Sequence, residues 1–300
     1  MPVSADTSMP TLSICMVSLD CLRVIEPCLV SLANSAFRDF EIIIADNGSV
    51  DGTLEYLRAR SDVRLIENGW NAGFTKATNQ CIGASSGEYI LWLNTDTVIP
   101  EESLGNLVEF LQTHPRAGVA GPKVLNADGS FQWQCRRGLP TPLASLSYIL
   151  GIDRLWPHHP AVSSYLLRSL PEDESNMVTA VSGCCLMTRR ETIEQVGPLD
   201  EQMFAFGEDL DWCVRAQKTG WEVWYYPGSV ITHLKGAGGA HSKPYRKIRA
   251  MHGCMWLFYK KHLRPRYLPP VTALVAFGIG TSFVAQIAAT WARRAVRLTS

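Results

Sequence analysis

The sequence predicts an α/β protein: a mostly parallel sheet with helices on both faces, followed by a helical tail. Three observations predict it. From Thr11 to Leu93, short apolar runs alternate with amphipathic stretches. Two of the runs, Phe40 to Asp46 (FEIIIAD) and Glu88 to Leu93 (EYILWL), are apolar on consecutive positions, as strands covered on both faces are. Polar residues gather just after the runs: Asp46-Asn47-Gly48-Ser49, Asn68-Gly69-Trp70-Asn71 and Asn94-Thr95-Asp96. Open α/β sheets bind ligands there, outside the carboxyl ends of their strands.

The elements follow in order. Thr11 to Val17 reads as the first strand, and Val24 to Ala36 has helical apolar spacing. After FEIIIAD, Ser49 to Arg60 is helical, with Ser49 as its N-cap. Val63 to Glu67 is a strand, Asn71 to Ala84 a helix and EYILWL the next strand. A further helix begins near Glu101, with Pro100 marking its start. Cys135 to Asn176 is rich in Pro, Leu, Ser and His and has no period, as functional lids often do. Regular structure resumes at Val178 to Thr188, followed by a short helix from Arg190 to Val196 and a helix from Gly207 to Gly220. A strand, Glu222 to Tyr226, and a β-like run, Ser229 to Thr232, lead to His233.

The composition changes in the tail, so residues 1–245 and 246–300 are expected to be two units. Arg246 to Arg266 is basic and helical, and Pro269 to Trp291 carries no charged residue before Arg293, Arg294 and Arg297. That length suits a membrane span. Ser282, Gln286 and Thr290 recur every fourth residue, which also suits an interfacial helix or one packed on a partner.

Composition excludes several classes. At 46% hydrophobic and 19% charged, the 300 residues can bury a core, so the chain is not a disordered one. Lys+Arg and Asp+Glu are 28 each, and this balance argues against nucleic acid as the main partner. The nine cysteines form no CxxC pair and are odd in number, so neither a disulfide framework nor a zinc site is expected and a reducing compartment is. Met1 to Pro10 has no basic start and no apolar core of a secretory leader. No P-loop is present, and no GxGxxG follows the first strand.

What remains is a set of carboxylates and glycines. Asp46 ends a buried strand, where it can accept the imide N–H of a pyrimidine base or serve the DNGS turn. Asn71-Ala72-Gly73-Phe74 opens a helix whose amides can face a diphosphate, as many strand–helix loops could. Asp96, after a buried strand, suits a divalent cation or a helix cap. Glu208, Asp209 and Asp211 crowd one helix start. Dipole complementarity accounts for one or two of them, and a general base in a cleft for another. His233 is either structural or joins Asp96 at a metal.

DNGSVDGT, NAGF, NTD, then VSGCCLMTRRETIEQVGPLDEQMFAFGEDLDWCVRAQKTGW and the His of YYPGSVITH occur in that order between Thr11 and His233. Together they resemble an inverting family 2 glycosyltransferase of the GT-A fold, in its rhamnosyltransferase-like branch. The resemblance implies a Rossmann-like sheet and transfer of one sugar, such as rhamnose, from UDP or dTDP. The acceptor would be a glycan or a polyprenyl-lipid-linked acceptor of cell-envelope polysaccharide. It implies nucleotide-sugar contacts at Ser18, Asp20, Asp46, Asn47, Asn71, Gly73, Asn94, Thr95 and Asp96. Mg²⁺ or Mn²⁺ would be held by Asp96 and His233. Asp209 would be the base, with Glu208 beside it. Gly183, Cys184, Asp211 and Trp212 would lie on the acceptor side. The apolar tail, residues 268–292, would seat the protein at the cytoplasmic face of the cell membrane.

Departures from the family pattern are visible too. The metal motif lacks its first carboxylate, being Asn94-Thr95-Asp96. Val17-Ser18-Leu19-Asp20 stands where Thr-Tyr-Asn is common, and the QxxRW of processive synthases is absent. Two alternatives are a sugar-1-phosphate nucleotidyltransferase and a non-catalytic membrane scaffold that kept the fold. The loop Ser18 to Arg23 has no glycine for the first, and intact Asp96, Asp209 and His233 argue against the second.

Overall fold

A computed structural model describes residues 9–235 and 244–299, with side chains through Arg293. The leader question at Met1 to Ser8 and the side chains of Arg294 and Arg297 lie outside the described residues. The elements run β1 (Leu12–Ser18), α1 (Leu22–Ala33), β2 (Phe40–Asp46), α2 (Thr53–Arg58), β3 (Val63–Glu67), α3 (Phe74–Ala84) and β4 (Tyr89–Asn94). Then come β5 (Thr97–Val98), α4 (Ser103–Thr113), β6 (Ala117–Leu125), β7 (Arg136–Arg137), α5 (Pro142–Ile149), α6 (Ile152–Leu155), β8 (Asn176–Met177) and β9 (Ala180–Val181). The chain continues through β10 (Cys185–Arg189), α7 (Arg190–Val196), α8 (Glu208–Lys218), β11 (Glu222–His233), α9 (Pro244–Phe258) and α10 (Pro269–Thr299).

One sheet carries the order β3-β2-β1-β4-β10-β6-β11-β5, with β8 beside β11. The four strands from β3 to β4 are parallel, as the apolar runs predict. β10 runs antiparallel to both β4 and β6, so the sheet is mixed at its centre. β7 and β9 form a separate two-stranded ladder. Val17 stands opposite Asn94, and Ser18 opposite Asp46, so three strands end along one edge.

The core lies on both faces of this sheet. Tyr89 to Leu93 are all buried, and Trp92 meets Trp212 of α8 edge-on at 5.0 Å. Such a pair adds about 0.5–1.5 kcal/mol beyond the area it buries. The nine cysteines are all free and buried, and they pack as small hydrophobes.

Three boundaries differ from the sequence expectation for local reasons. Ser49 does not cap α2: its hydroxyl turns back to Asp46, and Asp51 accepts the Thr53 amide instead. α4 starts after a turn at Glu101, two residues beyond the expected point. The stretch from Cys135 to Asn176 is not featureless, because α5 and α6 lie in it and Arg168 pairs with buried Asp153 at 2.7 Å.

The tail is built into the molecule at its near end. Lys247 of α9 stacks over Phe206, and Arg246 over Phe204. A π-helical turn, Tyr259–Leu263, follows α9. α10 packs on α9 through its polar stripe: His252 Nε2 meets Ser282 at 3.2 Å, and Gln286 donates to Ser282. Leu274, Phe277, Val284 and Trp291, spaced along one face of α10, are exposed.

Candidate active site

The donor corner forms where β1, β2 and β4 end. Asp46 is 1% exposed. Its Oδ1 accepts the amides of Gly48 (3.0 Å) and Ser49 (2.9 Å), and its Oδ2 accepts the hydroxyls of Ser18 (2.8 Å) and Ser49 (2.5 Å). Four donors fill a carboxylate's capacity. The turn reading of DNGS is therefore realised in full. The hydroxyls can rotate, so they are the two donors that a base N–H could replace.

The flanking residues lock this corner. Asp20, at φ +46°, accepts the Val50 amide at 2.8 Å and donates its own amide to Ser49. Asn47 donates to the Gly73 carbonyl and accepts from Asn68. Asn71 accepts the Gly73 amide at 3.0 Å. Gly73 sits at φ +91°, and a Cβ there would lie 2.8 Å from the Phe204 ring, so glycine is required. The α3 amides differ from expectation. Phe74 donates its amide to the Phe204 carbonyl at 2.9 Å, and the Thr75 hydroxyl bonds the Met203 carbonyl. The loop before α8, rather than open space, meets the start of this helix.

The second corner gathers Asn94, Thr95, Asp96 and His233. Asn94 donates its amide to the Cys184 carbonyl at 2.9 Å, and its own carbonyl accepts the Thr97 hydroxyl. Thr95 is buried. The β5–β11 ladder sets His233 opposite Thr97, which brings His233 Nε2 within 3.1 Å of Asp96 Oδ1. Burial works against the imidazolium, but the Asp96 hydrogen bond and contact with Cys184 outweigh it, raising His233 to about 10.

The pair fits a divalent cation. With the Nε2 proton released, the imidazole and the carboxylate together would offer one nitrogen and one oxygen donor to such a cation. His233 Nδ1 is buried without a hydrogen-bond partner. Among the described residues no third His, Cys, Asp or Glu completes a cage, so other positions would fall to phosphate oxygens and water.

The third corner is Asp209, at the first turn of α8. Its Oδ2 accepts the Gly183 amide at 2.8 Å and Arg137 Nη2 at 2.6 Å, and its Oδ1 accepts the Leu210 amide. Gly183 lies in the break between β9 and β10, which frees its amide from the ladder. A Cβ on Gly183 would press on Asp209 at 3.3 Å. Burial and the Asp209 charge push neighbouring Glu208 up to about 8, and its buried Oε2 has no partner. Burial and the neighbouring negative charge thus favour the neutral form of Glu208.

Gly183-Cys184 joins the two corners: the Gly183 amide holds Asp209, and the Cys184 carbonyl holds Asn94. Asp211 and Trp212 lie elsewhere than the acceptor side the sequence suggests. Trp212 is fully buried against Trp92 and donates to the Gly197 carbonyl. Asp211, also fully buried, meets His262 and Lys261 at 2.7 Å and Arg215 at 3.0 Å. Lys218 Nζ lies 3.0 Å from His262 Nδ1, the ring nitrogen that does not face Asp211. Burial opposes the Asp211 charge, but His262, Lys261 and Arg215 hold its carboxyl at about 2. The side chains are inward because α8 turns one face to the core and another to the tail.

Sequence reasoning missed Arg137 and the Asp211 partners. The available signal was Arg136-Arg137 directly after Cys135, since charges that become buried need partners.

Comparison with known proteins bears on the family and the fold. Residues 13–197 match the family model "Glycosyl transferase family 2", and residues 155–296 match "Glycosyl transferase family group 2". An N-acetylglucosaminyl-diphospho-decaprenol L-rhamnosyltransferase of Mycobacterium tuberculosis is 31% identical over 249 residues, covering 78% of this chain and 79% of the relative. A low-salt glycan biosynthesis hexosyltransferase of Haloferax volcanii is 28% identical over 59% of this chain and 53% of its own. Among solved structures, a mannosyltransferase of Pyrobaculum calidifontis, in complex with GDP-Man and Mn²⁺, has a TM-score of 0.59 at 17% identity. It covers 95% of this chain and 76% of its own. TarS of S. aureus has a TM-score of 0.55 at 17% identity, over 84% of this chain and 66% of its own. This similarity carries the fold: a GT-A-like mixed sheet with a C-terminal apolar helix. The chain belongs to glycosyl transferase family 2 and is a glycosyltransferase related to a rhamnosyltransferase.

Proposed function

We propose that the protein transfers one sugar, rhamnose, from dTDP or UDP to a hydroxyl of a polyprenyl-diphosphate-linked sugar, with inversion at the anomeric carbon. The observation that supports this reading is the Gly183-Cys184 bridge: its amide bonds Asp209, and its carbonyl bonds Asn94, two residues before Asp96. The name of the mycobacterial relative supplies the acceptor class and the sugar.

In this reading Ser18, Asp46 and Ser49 receive the pyrimidine edge. Asp96 and His233 hold Mg²⁺ or Mn²⁺, which when bound neutralises charge on the leaving nucleoside diphosphate. Asp209 takes the acceptor proton as the acceptor oxygen bonds to the anomeric carbon and the bond to the diphosphate oxygen breaks. The exposed apolar face of α10, within residues 268–292, rests on the inner face of the cell membrane, where a lipid-linked acceptor is found.

The test is binding of UDP, dTDP and GDP to the full chain, with and without Mn²⁺. Metal-dependent binding of UDP or dTDP is expected. Equal binding of all three, or none, overturns the donor assignment.

A further inference from the structure

Asp209 is more fully engaged than a waiting base should be. Both its oxygens are hydrogen-bonded, and Oδ2 takes two donors. Two of the three donors are backbone amides fixed by β9, β10 and α8. The third is the Arg137 guanidinium, whose side chain is 12% exposed against 10% for Asp209. This charge-assisted bond sits on Oδ2, where an acceptor hydroxyl would have to deliver its proton. Arg137 is the one side-chain donor among the three.

Arg137 also has unused capacity. Its Nη2 serves Asp209 and the Val181 carbonyl, while its Nε is buried with no partner. A buried donor left unmet costs about 1–3 kcal/mol, so the site gains by receiving an acceptor atom there. Arg137 is positioned by its ladder with β9 and by the Gly138 amide, which donates to the Tyr165 carbonyl. The chain then runs directly into α5, whose Leu143, Leu146 and Ile149 are exposed. An acceptor with an acidic group next to a hydrocarbon matches that order along the chain.

We propose that Arg137 is a positioning residue that holds Asp209 silent until a phosphate group of the lipid-linked acceptor draws the guanidinium away and frees Oδ2. The proposal rests on Asp209 being the base. In productive transfer the acceptor O–H proton goes to Asp209, the new O–C bond forms and the sugar–phosphate bond breaks, releasing the nucleoside diphosphate. With water in the acceptor's place the same balance gives hydrolysis of the donor. A base locked by Arg137 suppresses that loss.

The experiment uses the full chain in detergent, with dTDP-L-rhamnose or the UDP-sugar that the binding experiment selects. Release of nucleoside diphosphate without acceptor is followed for the wild type, Arg137→Gln, Arg137→Lys, Asp209→Asn and the Arg137→Gln/Asp209→Asn double variant. Arg137→Gln should hydrolyse donor about tenfold faster, Arg137→Lys by less, and the double variant should lose the gain. Unchanged or slower hydrolysis in a folded Arg137→Gln overturns the proposal. A gain that survives in the double variant removes Asp209 from its role and the proposal with it.

Transfer is then measured to a prenyl-diphosphate-linked N-acetylglucosamine and to the neutral octyl glycoside of the same sugar. Arg137→Gln should raise KM about tenfold or more for the first, with partial rescue by Lys, and should raise kcat for the second, because a neutral glycoside leaves the wild-type guanidinium on Asp209. Equal losses on both acceptors mean that Arg137 is merely structural. Because Arg137→Lys keeps a cation beside Asp209, it covers the case in which the glutamine variant does not fold.

Discussion

Asp46 and Asp209 are both buried carboxylates at the ligand edge of the same sheet, and they are held in opposite ways. Asp46 is bound by two hydroxyls and two amides, all neutral, from the end of β1 and the turn that follows β2. Asp209 is bound by a guanidinium brought from 72 residues away, together with amides from two other segments. Neutral, rotatable donors leave a carboxylate ready to receive an N–H. A cation commits it until something competes for that cation. The donor corner is thus preset by local turn chemistry, and the acceptor corner by long-range charge.

The largest expected effect breaks this comparison at the acceptor end. Asp209→Asn should cut transfer by about 10²–10⁴, with dTDP or UDP binding close to wild type. Transfer surviving within tenfold, measured by release of nucleoside diphosphate with acceptor present, would place the base elsewhere.

Next comes the charge network behind the same helix. Asp211→Ala leaves Lys261, His262 and Arg215 facing an empty site, and should cost about 3–5 kcal/mol in urea unfolding. The sign with pH follows from the carboxyl being held at about 2, below its ordinary value. Its stabilisation is complete above about pH 4 and fades as pH falls from there toward 2. A wild-type acid limb no steeper than that of Asp211→Ala would show that the cluster is not a source of stability.

At the shared middle, Asp96→Ala should weaken Mn²⁺-dependent nucleotide binding about 10- to 100-fold and leave metal-free binding alone. Calorimetric titration with and without Mn²⁺ checks it, and equal curves for both proteins would move the cation from His233 and Asp96. The smallest effect is at the donor end. Ser49→Ala removes one of four donors to Asp46 and should lower stability by about 0.5–1.5 kcal/mol. A melting temperature that falls as far as that of Asp211→Ala would erase the contrast between the two corners.

Legibility in the sequence follows the same divide. β2 and β4 declared themselves because strands covered on both faces carry runs of consecutive apolar residues, as Ile42 to Ala45 and Tyr89 to Leu93 do. Asp46 and Asp96 were visible because strand ends are fixed by those runs. β10 reads like any other buried strand, and its antiparallel direction is settled by tertiary packing, not by its composition. Ser49 was misplaced because a serine after an Asp can serve either a helix or the turn, and the Asp46 carboxylate won it. Arg137 and the Lys261–His262 pair could not be matched to Asp209 and Asp211 from spacing, since their separations carry no period. Asp211 and Trp212 sit beside Asp209 in FGEDLDW, yet successive helical residues point in different directions, so their side chains reach the tail and the core.

The buried thiols give the molecule a set of internal clocks. Cys28, Cys81 and Cys185 lie deep around the sheet, while Cys254 sits in α9 with its thiol on the Ala205 carbonyl. A thiol reagent in solution can mark each one only when its shelter opens. Lifting of α9 would expose Cys254 alone, whereas loss of the sheet would expose the others together. Mass-resolved labelling at Cys254 and Cys28 would therefore time the tail's departure separately from global unfolding, with no engineered probe.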